Sequence, residues 1–205
     1  MMKFVKWKIL IITCAICLLP ILMGLALWND LPDTIAIHFN IYNEADGFAS
    51  KGFAVFGLPV MMAVLQIVCC IINDFNAMKH GERKTFERAT KWIIPLLGIF
   101  LQVITFGYAL GWQVDIRKAV ALIVGVIFLV IGNYLPKFDY IKNYNPDSDK
   151  ARKVNRFIGF ETVIMGVLGI ITIFLPPVVT FWWIILLIPY ALIAALYGII
   201  VGRKK

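Results

Sequence analysis

Along the chain, apolar residues gather in six long blocks, at residues 9–28, 53–72, 92–112, 119–135, 157–175 and 178–201, separated by short polar stretches. Inside a block the polar positions recur neither every second residue nor every 3.6, so no face is set aside for water. Each block is close to the roughly 20 residues that carry an α-helix across a hydrocarbon core. The pattern predicts an all-α, polytopic membrane protein: one integral domain over residues 1–205 with six transmembrane helices and a structured first loop at residues 29–52. Pro59 and Pro95 fall in expected first turns, where a missing N–H costs little, while Pro20 and Pro189 lie inside blocks and are expected to kink them. A composition of 61% hydrophobic and 16% charged residues, with a mean hydropathy of +0.85, excludes an ordinary soluble domain.

The basic residues orient the helices, because Lys and Arg are retained in cytoplasmic segments during insertion. Of 20 Lys and Arg, 17 fall at the two termini and in the second and fourth loops, against Lys51, Arg117 and Lys118 elsewhere. Both termini are therefore predicted to be cytoplasmic and the loop 29–52 exterior, in a multi-pass membrane protein. The net charge of +8 follows from this asymmetry, and membrane lipid headgroups rather than nucleic acid are the expected partners of the basic loops. Lys3, Lys6 and Lys8 before the first block also fit a signal peptide. The apolar run is too long for one, and the block is taken as a retained anchor. Phe75, Met78, Phe86 and Ala89 among the basic residues of loop 73–91 read as an interfacial helix. Asn145 is read as the cap of a helix with Pro146 in its first position, running on through the fifth block.

Chemistry-bearing residues are few. In loop 29–52, Ile35, Ile37 and Phe39 alternate with Thr34, Ala36, His38 and Asn40, as in a strand pressing one face on the helices. Asn43 to Gly47 reads as a turn, and Asp46 is placed opposite Lys51. His38 with Asp33, Glu44 and Asp46 lacks metal-ligand spacing, so hydrogen bonds folding the loop are the preferred reading and no metal or cofactor is expected. Cys14, Cys17, Cys69 and Cys70 lie in the first two blocks. They read as small packing residues, with a soft-metal site as the competing reading. Gln66, Gln102 and Asn133 within blocks suit hydrogen bonds between helices. Glu161 is the one acid inside a block and so a candidate functional residue, although one turn beyond Arg156 it can still reach the interface. No catalytic motif is present and no enzymatic activity is expected.

The string Leu31-Pro32-Asp33, His38-Phe39-Asn40 and Asp46-Gly47-Phe48-x-Ser50-Lys51 resembles the exterior-loop motif of the SdpI-type family of bacterial membrane proteins. Gly132-Asn133-Tyr134-Leu135-Pro136-Lys137 resembles that family's motif at the inner end of the fourth span, and Asn155-Arg156-x-x-Gly159 its entry into the fifth. The chain departs where the family has Gly and then Pro, here Asn43 and Ala45, and again after Lys137, where residues 138–147 replace a Gly-Ile-Arg-Thr-Pro-Trp-Thr-like stretch. The resemblance implies immunity against a secreted toxic peptide, with Pro32, Asp33, His38, Phe39, Asn40, Asp46 and Lys51 forming or bracing the exterior loop. It implies that Gly132, Asn133, Pro136, Lys137 and Arg156 fix the inner face, and it adds capture of a cytoplasmic transcriptional repressor as a possible partner interaction. A small transporter or transporter accessory subunit, using Glu161, is the alternative.

Overall fold

The computed structural model describes residues 5–80, 84–137 and 148–203. Its six helices are α1 (Trp7–Ala26), α2 (Leu58–His80), α3 (Lys84–Ala109), α4 (Ile116–Tyr134), α5 (Ser148–Thr172) and α6 (Pro177–Arg203). Each contains a stretch long and apolar enough to cross a membrane, so the chain is a multi-pass membrane protein. The helix ends differ from those predicted. Between the second and third blocks, where an interfacial helix is predicted over loop 73–91, α2 continues to His80 and α3 begins at Lys84, so the described part of this stretch is helix continuous with the flanking spans. The fold is also not purely helical, because an antiparallel hairpin, β1 (Thr34–Phe39) and β2 (Ala45–Ser50), joins α1 to α2. Asn145, Pro146 and the divergent stretch 138–147 lie outside the described residues. The chain divides into two compact units, Met1–Ile116 and Arg117–Lys205.

In the first unit, α1, α2 and α3 pack together around small and polar side chains. Leu31 and Ile35 from the hairpin end join Ala54, Val55 and Phe106 in one buried apolar cluster. Prolines shape the helices here. A π-helical turn, Phe53–Gly57, precedes α2, and the Leu58 N–H bonds the Phe53 carbonyl rather than that of Ala54. The next candidate donor for Ala54 is Pro59, which has no N–H. The Gln102 side chain on α3 supplies the missing bond, its Nε2 donating to the Ala54 carbonyl at 2.8 Å.

Pro95 repeats the arrangement. It lies well inside α3 rather than in a first turn, so the carbonyl four residues earlier, on Lys91, has lost its helical donor. The Gln66 Nε2 on α2 donates to that carbonyl at 2.9 Å. Two glutamines within the apolar segments thus satisfy backbone groups released beside two prolines. This is how a non-aqueous interior tolerates such breaks.

In the second unit, α4 and α5 meet along glycines. A Cβ built on Gly132 would stand 2.7 Å from the Gly159 carbonyl oxygen, and one on Gly125 would stand 2.9 Å from that of Gly166. Backbone cannot yield as a flexible side chain can, so these positions admit no larger residue, as in close-packed membrane helices. Between α5 and α6, the Trp183 ring fills the space beside Gly169 and its Nε1 donates to the Met165 carbonyl at 3.1 Å.

Candidate functional site

The hairpin carries most of the candidate residues, and its pairing explains their positions. Thr34 faces Ser50, Ile35 faces Ala49 and Ala36 faces Phe48, but His38 then faces Gly47 and Phe39 faces Ala45. Ile37 is therefore an extra residue on β1 and Asp46 an extra residue on β2, two bulges that cancel in register. The strict alternation predicted for this strand fails there. Ile35 and Ala36 are buried, whereas Ile37 turns outward.

The predicted turn moves as well. Asp46 and Gly47 belong to β2, and the reversal occupies Asn40 to Glu44. Asn43 holds the left-handed conformation there, with φ of 65°. Gly47 is needed for close approach across the pair, since a Cβ would stand 2.7 Å from that of His38.

Hydrogen bonds brace this hairpin at several places. Asn40 Oδ1 accepts the Tyr42 and Glu44 N–H groups at 2.9 and 3.0 Å. Asn43 Oδ1 accepts the N–H of Ile116, the first residue of α4, at 2.8 Å, and its Nδ2 donates to the Val114 carbonyl. Lys51 pairs with Asp33 at 3.3 Å rather than with Asp46. Its ammonium also donates to the Trp28 carbonyl and sits 5.4 Å from the Trp28 ring centroid. Asp46 instead bonds His38 Nδ1 at 2.5 Å, on the exposed side. Phe39 meets Tyr108 of α3 edge-on at 4.7 Å. Pro32 and Asp33 are exposed where the chain enters β1. Around the His38–Asp46 pair, Ile37, Ile41, Tyr42 and Phe48 are exposed, Tyr42 by 71% and Phe48 by 59%.

A second cluster was missed by sequence reasoning. Lys91 and Asp74 form an ion pair at 2.5 Å with each side chain only 1% exposed. The Lys6 N–H donates to the other Asp74 oxygen at 3.0 Å, and the Lys6 ammonium donates to buried Glu87 at 2.9 Å. Gln66 links this cluster to Thr13 of α1 at 2.8 Å and to the Cys70 sulfur at 3.1 Å. Two cations and two carboxylates thus tie the start of α1 to the adjoining ends of α2 and α3. Cys17 and Cys70 are fully buried and Cys14 approaches the Ala63 carbonyl, so these thiols occupy packing positions.

The inner-face candidates divide. Gly132 and Pro136 both pack against Gly159 of α5, where a Cβ would stand 2.6 Å from the Pro136 ring, so two motifs far apart in sequence form one helix contact. Asn133 and Arg156 are exposed. Asn133 makes no hydrogen bond among the described residues, and the Lys137 side chain lies outside them. Glu161 is half-buried and lines a cavity of about 360 Å³ between α5 and α6. It has neither a hydrogen bond nor an ion pair among the described residues, and Arg156, about one turn before it, is exposed.

A domain of unknown function, DUF1648, matches residues 15–63, from α1 through the hairpin to the start of α2. The immunity protein SdpI of Bacillus subtilis (strain 168) is 27% identical over 123 residues, 60% of this chain and 58% of that protein. The chain resembles the SdpI type. The match spans somewhat under three-fifths of SdpI's length. No solved structure matches the chain.

Proposed function

We propose that this chain is an immunity protein of the bacterial plasma membrane that protects its cell against a secreted toxic peptide, acting by binding and not by catalysis. In this reading both termini are cytoplasmic and the hairpin faces outward. The observation that carries it is the exposed apolar surface of Ile37, Ile41, Tyr42 and Phe48 beside the His38–Asp46 pair. A hairpin clamped by Asn43, Lys51 and Phe39 has little freedom left to lose on binding. Exposed apolar side chains with a polar centre suit an amphipathic peptide, and a two-stranded sheet leaves open edges for strand addition. Similarity to SdpI supports the same reading. Capture of a cytoplasmic repressor is the further step that the resemblance implies.

Expression in a peptide-sensitive strain tests the proposal. Survival should rise with the parent chain and fall back to that of the empty strain with Tyr42→Ser/Phe48→Ser or His38→Ala, at unchanged membrane levels. Full protection by those variants would refute the hairpin as the binding surface. Loss on Glu161→Gln alone would move the function to α5 and α6.

A further inference from the structure

The cavity between α5 and α6 belongs to the second unit and plays no part in the hairpin reading. Its walls include Phe157, Glu161, Leu186, Tyr190, Ile193 and Tyr197, and its volume of about 360 Å³ is that of a small-molecule site. Pro189 of α6 also lines it. Three aromatic rings and one carboxylate therefore share an otherwise apolar space.

The Tyr190 hydroxyl is already committed. Thr162 donates to the Ile158 carbonyl at 2.6 Å, which leaves its oxygen to accept from the Tyr190 hydroxyl at 2.5 Å. Tyr190 is thereby held in place with its proton used. Phe157 and Tyr197 pack with centroids 5.2 Å apart. Glu161 is left as a half-buried carboxylate without a bonded partner among the described residues. A charge in an apolar setting is costly unless a counter-charge meets it, and aromatic faces attract cations.

We propose that this cavity binds a hydrophobic organic cation, its positive centre meeting Glu161 and its apolar body lying against Phe157, Tyr190 and Tyr197. Charge complementarity selects this occupant. An anion would meet Glu161 repulsively, and a neutral apolar molecule would leave the carboxylate unpaired.

The test is equilibrium binding of tetraphenylphosphonium to the full chain in lipid nanodiscs, with empty nanodiscs subtracted and tetraphenylborate as the anion of the same shape. The parent chain should bind the cation saturably and the borate without saturation. Glu161→Gln should weaken binding about tenfold or more, Glu161→Asp should hold it within about threefold, and Phe157→Leu should weaken it by an intermediate factor. Equal binding of the two ions, an unchanged affinity in Glu161→Gln, or no saturable binding to the parent chain would overturn the proposal. If Glu161→Gln does not fold, the Phe157→Leu and tetraphenylborate comparisons still decide it.

Discussion

Replacing Lys91 with methionine keeps the length and apolar stem of the side chain while removing its charge. The Asp74 carboxylate, 1% exposed, then keeps the Lys6 N–H at 3.0 Å as its one remaining described hydrogen-bond donor. Removing one member of a buried pair typically costs about 3–5 kcal/mol because the other charge is left uncompensated. For a chain of this size that corresponds to a fall of roughly 6–20 °C in the apparent unfolding midpoint. The double variant Asp74→Asn/Lys91→Met removes both charges, and its amide oxygen can still accept from Lys6. It should recover at least about 2 kcal/mol of the loss. Thermal and denaturant unfolding in one detergent, followed by tryptophan fluorescence, measures all three proteins. A cost below about 1 kcal/mol for Lys91→Met would put the pair in the class of exposed ion pairs. That result, or a double variant no more stable than the single, would refute the reasoning.

Three more outcomes follow from the same structure. Gln66→Leu should destabilise by about 1–3 kcal/mol because the Lys91 carbonyl loses its donor; in a Pro95→Ala background, where α3 can supply its own N–H, the same change should cost clearly less in the same unfolding assay. Gly132→Val should cost about 1–3 kcal/mol or more by forcing α4 from α5, while Gly98→Ala, whose Cβ would first meet the flexible Met62 side chain at 3.4 Å, should be tolerated. Asn43→Ala, losing a left-handed turn residue and the cap on Ile116, should cost about 1–2 kcal/mol; Asn43→Gly should restore the turn but not the cap. Hydrogen exchange at the Ile116 amide reads the difference directly.

How far the fold could be read from sequence depended on range. The six helices were legible because a hydrocarbon solvent demands long unbroken apolar runs, a signal local to each segment. Their ends were not. Asn73 to Lys91 is polar enough to read as a connection, and only the register between α2 and α3 brings Asp74 to Lys91 and buries both. The strand Thr34–Phe39 showed in its alternation, but β2 contains Ala45, Asp46 and Gly47, weak strand formers that read more naturally as a turn. The bulges at Ile37 and Asp46 exist only in the pairing, so neither the His38–Asp46 contact nor the Lys51–Asp33 pair had a local signature. Gln66 and Gln102 were visible as polar residues between helices, whereas their acceptors depended on knowing that Pro95 lies inside α3 and that a π-helical turn precedes α2. The meeting of Gly132 with Gly159 had a partial signal, since both stood within strings that resemble motifs of the SdpI type.

The glutamine bonds also restrict motion within the first unit. Gln66 reaches one carbonyl on α3, and from α3 Gln102 reaches one carbonyl before α2. A helix advances about 1.5 Å per residue, so sliding α2 along α3 by even one residue would break both bonds in a medium with no water to replace them. Tilting or rotating the helices as a joined pair leaves them intact. Relative motion of α2 and α3 is therefore restricted to rocking of the joined pair and excludes a piston stroke.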